Sequence, residues 1–225
     1  MPLDRVSQPA PSGAGLQAAW HFLDRSVGGA RASLADPAVT NLDQVHDSAV
    51  VTVARAGDKR GHQADAAVTA VPGAKLLIRT ADCAPVLLLG EDAGRPVAVG
   101  VAHAGWRGLV AGVLPAAVGA LRSLGAVDVR AMLFPCIEGP CYEFGLSDLD
   151  AVAGALGDGV RGLSGAGKPA LDMVAAVRSS LNNAGVTNLD LSTWRCTACD
   201  HESLYSYRAR QDSGRLGLLA WLEES

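Results

Sequence analysis

The chain has no apolar run long enough to span a bilayer as a helix, so no membrane-spanning helix is expected. It has no basic stripe either. With 19 Lys and Arg against 23 Asp and Glu, and a net charge of −4, a nucleic-acid partner is not expected. The opening MPLDRVSQPAPSGAG lacks the charged start and apolar core of a secretory signal, so a cytoplasmic location is expected. Cysteines are few and odd in number, five in all, and in an unexported chain they read as free thiols or metal ligands rather than disulfides. There is no internal repeat, long linker or low-complexity tract beyond the opening. What is present is 49% hydrophobic and 19% charged residues over 225 positions, enough for a substantial core. Residues 1–19 read as a disordered lead and 20–225 as one domain.

Apolar runs punctuated by turn residues supply the elements. Trp20–Arg25, Val50–Ala54, Ala66–Val71, Lys75–Thr80, Pro85–Leu89, Pro96–Ala102 and Val129–Phe134 read as strands, and Pro96–Ala102 looks buried on both faces. Pro72-Gly73 suggests a hairpin between Ala66–Val71 and Lys75–Thr80. Trp106–Leu124 has helical periodicity, with Pro115 expected to kink or divide it. Ser147–Leu156 and Leu171–Asn183 read as helices, Ser147 as an N-cap and Gly185 as a stop. Leu189–Leu191, Leu204–Arg208 and Leu216–Leu222 read as closing strands. Clustered strands with helices inserted favour an α+β fold over a doubly wound sheet.

Three segments carry chemistry: Gln44-Val45-His46, Thr80-Ala81-Asp82-Cys83-Ala84-Pro85 and Ala102-His103-Ala104-Gly105-Trp106-Arg107-Gly108. In the last, a strand ends in a histidine, turns on glycine and restarts as a helix. That arrangement holds the imidazole rigidly, lets a ligand approach the backbone and sets Arg107 at a helix start. His46, Cys83 and His103 together form a natural three-ligand set for Zn²⁺, leaving a fourth position for water or substrate. Spacing alone leaves open the alternative of a buried thiol and two satisfied histidines.

The words around them resemble the laccase-domain, or YfiH-like, family, whose members have been described as multicopper polyphenol oxidases and as zinc-dependent purine nucleoside phosphorylases. The resemblance rests on Asp43-Gln44-Val45-His46, Gln63-Ala64-Asp65-Ala66, the Asp82-Cys83 and His103–Gly108 words, Pro135-Cys136-Ile137, Gly139-Pro140-Cys141-Tyr142, Cys196-Thr197, Ser206-Tyr207-Arg208 and Ser213-Gly214-Arg215, in that order. It covers Phe22 to the C-terminus. It implies a single-domain YfiH-like α/β sandwich of mixed sheets with flanking helices, and a metal site at His46, Cys83 and His103. It also implies phosphorolysis of adenosine, inosine, guanosine and methylthioadenosine to base and sugar 1-phosphate, with adenosine deamination at the same site.

The partners expected are therefore a nucleoside and phosphate, with the chain a monomer or homodimer. The metal expected is zinc, with copper as the alternative. A four-copper centre is excluded, because five histidines cannot supply its imidazoles. A single-copper polyphenol oxidase remains as an alternative, as does an amidohydrolase editing peptidoglycan precursors with Cys83 as nucleophile and His103 as base. Departures from the family words include a shortened stretch between Gly29 and Asn41, Asp47 in place of glycine, and Glu138 inserted before Gly139.

Arg107 fits a clamp on phosphate or a sugar hydroxyl. Asp82 fits either a partner that orients a histidine or a turn cap. Arg25 beside Gly28-Gly29 fits either an anion-binding loop or a plain turn. Tyr142 reads as structural rather than pocket-lining, and Trp106 and Trp194 as core. Cys196-x-x-Cys199, with His201, Cys136 and Cys141, raises a second structural zinc, but free thiols are favoured there.

Overall fold

A computed structural model describes residues 5–6 and 15–224. The strands are β1 Arg5–Val6, β2 Leu16–Leu23, β3 Val39–Asn41, β4 Val50–Thr52, β5 Ala66–Thr69, β6 Lys75–Thr80, β7 Ala84–Asp92, β8 Arg95–Ala104, β9 Asp128–Leu133, β10 Arg161–Leu163, β11 Pro169–Leu171, β12 Leu189–Asp190 and β13 Leu216–Glu224. The helices are α1 Arg31–Leu34, α2 Trp106–Ala111, α3 Val113–Ser123, α4 Leu146–Leu156, α5 Met173–Asn183 and α6 Tyr207–Arg210.

Two mixed sheets carry the fold. One has the order β1-β2-β13-β6-β3, the other β12-β9-β7-β8-β5-β4, and β10 and β11 form a separate ribbon. Side chains of a strand alternate between faces, so β7 serves two cores at once. Leu87 and Leu89 meet Ile78, Phe22, Leu218 and Ala220 between the sheets. Val86 and Leu88 meet Leu114, Val118, Val152 and Val177 of the helical layer. The six-stranded sheet is thus buried on both faces, which explains the continuous apolar runs of β7 and β8. Gly100 of β8 is required by this packing, since a Cβ there would lie 2.9 Å from Val68 Cγ1. The outer face of the other sheet is closed by Val39, Leu77 and Leu219 under Leu34 and Trp221. The α+β expectation is met.

Several local expectations are corrected. Residues 16–19 belong to β2, with Ala18 and Ala19 buried, because β2 pairs along its whole length with β13. Of the rest of the expected lead, 1–4 and 7–14 lie outside the described residues. Ala66–Val71 and Lys75–Thr80 do not form a hairpin. The former pairs with β8 and the latter with β13, so the Pro72-Gly73 turn carries the chain from one layer to the other. The Trp106–Leu124 segment divides at Gly112, which adopts φ +90°, whereas Pro115 sits in the first turn of α3, where no N–H is needed. α4 starts after Gly145 rather than Ser147, with Asp148 in its first turn complementing the dipole. Tyr207–Arg210 is helical rather than extended, because the Ser206 hydroxyl accepts from Ala209 N–H as an N-cap.

Candidate functional site

Sheet register assembles the site. β7 and β8 pair with Ala84 opposite Ala104 and Pro85 opposite His103. Cys83, just before β7, therefore arrives at the end of β8 that carries His103. β5 pairs with β8 through Ala66 and Ala102, which sets Asp65 beside His103, and His103 N–H donates to the Asp65 carbonyl at 2.7 Å. The loop before β4 brings in His46. The ligand-capable atoms of His46, Cys83 and His103 lie within 4.8 Å of one another, with Cys83 Sγ 3.9 Å from His46 Nε2. The two imidazoles meet edge to face at 4.7 Å between ring centroids.

A buried carboxylate organises this set. Asp65 has no exposed surface. One oxygen accepts from His103 Nδ1 at 2.7 Å and His46 N–H at 3.0 Å. The other accepts from Asp47 N–H at 2.8 Å and Val45 N–H at 3.1 Å. These bonds hold His46 at φ +63°, a left-handed conformation that a non-glycine residue adopts only under constraint. A carboxylate can only accept, so His103 Nδ1 carries the proton and Nε2 is left to face a cation. Burial alone would raise the Asp65 carboxyl, but His103 and the backbone donors outweigh it and hold it below the usual carboxylate range.

Cys83 and His103 form a coupled pair. Burial opposes the charged form of each. For Cys83 the nearby His103 charge, with hydrogen bonds from both imidazoles, overcomes burial and lowers the thiol. For His103 the Cys83 thiolate and Asp65 overcome it and raise the imidazole. Both shifts favour a thiolate beside an imidazolium when no metal is bound, and a metal cation would take the place of the Nε2 proton. Gly105 closes the cradle. It sits at an ordinary φ of −71°, but a Cβ there would lie 2.9 Å from His46 Cδ2 and 3.1 Å from Cys83 Sγ. One thiolate and two imidazoles packed this closely, with a glycine cleared beside them, fit a single metal ion of the zinc type with a position open to the cavity.

The cavity above measures about 490 Å³, a size suited to a small-molecule ligand. Arg79, Arg107, Arg208 and Arg215 line it together with Trp106, Tyr142 and Tyr207. Arg107 is exposed at the start of α2, its guanidinium 4.3 Å from the Trp106 ring. Arg208 lies 4.9 Å from the Tyr142 ring.

The structure brings His46, Cys83, His103 and Arg107 to one cavity, but not Arg25. Arg25 donates to Asp212 at 2.9 Å and covers the Tyr205 ring at 4.4 Å, while Gly29 packs against the Arg215 carbonyl, where a Cβ would lie 2.1 Å away. The Gly28-Gly29 segment is therefore a packed turn. Asp82 borders the cavity, yet its carboxylate serves no histidine. It accepts from Thr197 Oγ1, Ser206 Oγ and Arg208 N–H, each at 2.6 Å, and so fixes the loop in front of Cys83 with Asp82 itself at φ +95°. Tyr142 lines the cavity, contrary to expectation, and Trp106 is half-buried at its edge against Phe144 rather than in the core. Trp194 is half-buried, donating to Cys136 Sγ at 3.2 Å.

Asp65 and the arginines 79, 208 and 215 were not singled out from sequence as site residues. Asp65, Arg208 and Arg215 all fall in the ordered words quoted above, and that was the available signal for them.

Comparison with known proteins identifies the family and the fold. Residues 24–223 match the family described as multi-copper polyphenol oxidoreductase laccase. A purine nucleoside phosphorylase of Streptomyces coelicolor is 41% identical over 194 residues, covering 84% of this chain and 77% of that one. A purine nucleoside phosphorylase of Mycobacterium tuberculosis is 36% identical over 184 residues, covering 81% and 71%. Among solved structures, a Neisseria meningitidis protein superposes with a TM-score of 0.76 at 26% identity, over 98% of this chain and 99% of that one. YlmD from Geobacillus stearothermophilus shares the fold, with a TM-score of 0.76 over 96% of this chain and 98% of that one, at 24% identity.

Proposed function

The chain belongs to the multi-copper polyphenol oxidoreductase laccase family, and from that premise we propose that it is a purine nucleoside phosphorylase with one zinc held by His46, Cys83 and His103. The carrying observation is the joining, in one cavity, of a three-ligand metal set oriented by Asp65 to a rim of arginines. The relatives' name supplies the reaction class. The donor set does not suit a multicopper centre. Only two of the five histidines reach the site, and His21 instead stacks on Trp221 at 5.1 Å.

Phosphorolysis needs an anionic nucleophile brought against the anomeric carbon of the sugar. Arg107, exposed at the start of α2, supplies a forked cation to bind and orient phosphate, and Arg208, which lines the same cavity, adds a second. Trp106 and Tyr142, each with a guanidinium over its ring, line the same cavity and give apolar surface to a purine. As the bond to the base breaks, its electron pair moves onto the purine, and the arginine rim offsets the charge in a site partly closed to water. Zinc, when bound, supplies a Lewis acid at the cavity floor. Asp65 keeps His103 in one orientation throughout.

Purified protein of known metal content is incubated with adenosine, with and without phosphate, and the products are separated by chromatography. Adenine and a sugar 1-phosphate that appear only with phosphate support the reading. Inosine as the product would move it to deamination. No turnover of any purine nucleoside by zinc-loaded protein would overturn it.

One further reading has its own observation. Cys83, His103 and Asp65 stand in the order of a nucleophile, a base and an orienting carboxylate. An amidohydrolase would use that triad. It needs the thiolate free of metal, so amide hydrolysis by the metal-stripped protein would favour it over the zinc reading.

A further inference from the structure

A second group of ligand atoms lies outside the cavity. Glu138 and Cys141 flank one tight turn, closed by Cys141 N–H to the Glu138 carbonyl at 3.1 Å. Cys196 and Cys199 flank another, in which Asp200 N–H donates to the Cys196 carbonyl at 3.1 Å. The two turns are joined at their base, where Thr197 N–H donates to the Cys136 carbonyl at 3.1 Å. Each therefore delivers two side chains, three residues apart, from a rigid loop, which is how structural zinc sites gather their ligands.

The distances among Glu138, Cys141 and Cys199 suit three edges of a tetrahedron, with Cys196 in reach of the fourth corner. The four ligand atoms lie within 4.8 Å of one another. Cys141 Sγ is 3.5 Å from Cys199 Sγ, and Glu138 Oε1 lies 3.3 Å from Cys199 Sγ and 3.8 Å from Cys141 Sγ. Zinc bound tetrahedrally at ~2.3 Å from sulfur and ~2.0 Å from oxygen would separate ligand atoms by about 3.5–3.8 Å. Among the described residues Glu138 makes no ion pair with lysine or arginine, and the nearby cations are engaged elsewhere. Arg195 pairs with Asp200, while Arg210 donates to the Thr197 and Ala198 carbonyls. The cluster thus gathers thiols and a carboxylate with no protein cation to balance them. Three thiols and one carboxylate in a tetrahedral frame select a zinc-type ion over a hard cation such as magnesium or calcium.

We propose that Glu138, Cys141, Cys196 and Cys199 bind a second zinc ion, which is structural and staples together the two loops that hold the Asp82–Cys83 segment. Both loops end on Asp82. Thr197, within the Cys196–Cys199 turn, donates to its carboxylate at 2.6 Å, and Ile137 N–H, beside Glu138, donates to its carbonyl at 3.0 Å. Tyr142, beside Cys141, lines the cavity. The clip would fix the loops on which Cys83 depends while touching none of the reacting groups.

The test uses the full chain carrying Cys83→Ala, so that the cavity site is disabled and only the second site can hold metal. After desalting, zinc is measured by mass spectrometry of the metal, and Co²⁺ is added to metal-stripped protein to record thiolate-to-cobalt charge transfer and tetrahedral d–d bands. The expected result is about one zinc per Cys83→Ala chain and a thiolate-rich tetrahedral cobalt spectrum. Adding Cys199→Ser should lose both, while Cys199→Ser alone should lose one of two zinc ions from the otherwise unchanged chain. Glu138→Gln keeps all three thiols and should weaken zinc retention against a chelator. Cys83→Ala protein that holds no zinc and gives no cobalt spectrum would overturn the proposal, as would a Cys141–Cys199 disulfide in the protein isolated under reducing conditions. Because the cavity site is absent from the test chain, neither result depends on the phosphorylase reading.

Discussion

Replacing Asp65 by asparagine should damage the metal centre and the fold together, by amounts the hydrogen bonds set. The carboxylate takes four donors, two on each oxygen: His103 Nδ1 and His46 N–H on one, Asp47 and Val45 N–H on the other. Asparagine has one acceptor oxygen, so whichever way the amide turns, one pair of donors faces an NH₂ group. Two charge-assisted bonds lost at about 1.5 kcal/mol each amount to about 3 kcal/mol. That lies at the lower edge of the ~3–5 kcal/mol expected when a buried charged pair is broken. For a chain of this size the melting temperature should fall by about 6–12 °C. Losing the carboxylate that orients a ligand histidine should weaken zinc binding by about 10- to 100-fold. The assay pairs thermal unfolding with zinc competition against a chromophoric chelator. Asp47→Asn is the control, since among the described residues that exposed carboxylate hydrogen-bonds only Ser48, and it should move stability by less than about 0.5 kcal/mol. An Asp65→Asn chain with the stability and zinc affinity of the parent would refute the assignment of Asp65 as the organiser of the site.

Other expectations follow from single contacts. Gly105→Ala adds a methyl group 2.9 Å from His46 and 3.1 Å from Cys83 at an unstrained backbone position, so it should weaken zinc binding by about 10-fold or more while leaving circular dichroism unchanged. In metal-stripped protein, Cys83 should be the first cysteine alkylated by iodoacetamide at neutral pH. Its pH profile should inflect below that of a free thiol because His103 and His46 favour the thiolate; buried Cys136, whose thiol is raised, should react last, and zinc should protect Cys83. Peptide mapping reads both orders. Arg107→Ala removes an exposed cation that no acidic side chain engages among the described residues, so melting should change little, while kcat/KM for phosphate in adenosine phosphorolysis should fall by about 10- to 100-fold.

The sheet interior was legible because strands buried on both faces read as continuous apolar runs. Lys75–Thr80 forms the strand expected, and β7 and β8 contain theirs with one residue added at the start and two or three at the end. Pairing was not legible. Ala66–Thr69 and Lys75–Thr80 are consecutive strands joined by a turn that suits a hairpin, yet they go to different sheets. Periodicity tells which residues are buried but not which strand lies beside them. The short α6 was read as a strand because Leu204–Arg208 is too brief for a 3.6-residue period to register, and its cap at Ser206 is visible only as a hydrogen bond.

The same division runs through the site. His46, Cys83, His103 and Arg107 stand in recognisable words at the ends of apolar runs, and all four meet at one cavity. Asp65 precedes a strand just as a turn residue would, and only the tertiary structure reveals that its carboxylate serves four donors, three in the loop before β4 and one on β8. Of the two roles open to Asp82, orienting a histidine or capping a turn, its carboxylate takes the one that fixes a turn, and its partners Thr197, Ser206 and Arg208 are more than a hundred positions away. Cys141, Cys196 and Cys199 group together in the sequence with Cys136 and His201, and only the joining of two turns distant in sequence puts Glu138 with the three thiols in place of those two.

The most direct test of the central claim measures metal content and phosphate-dependent adenine release in the same preparations of the parent chain and Cys83→Ala. The account predicts that Cys83→Ala stays folded, loses one zinc per chain and loses phosphorolysis with it. A Cys83→Ala chain that turns over adenosine and phosphate at the parent rate, with or without the lost zinc, would contradict it.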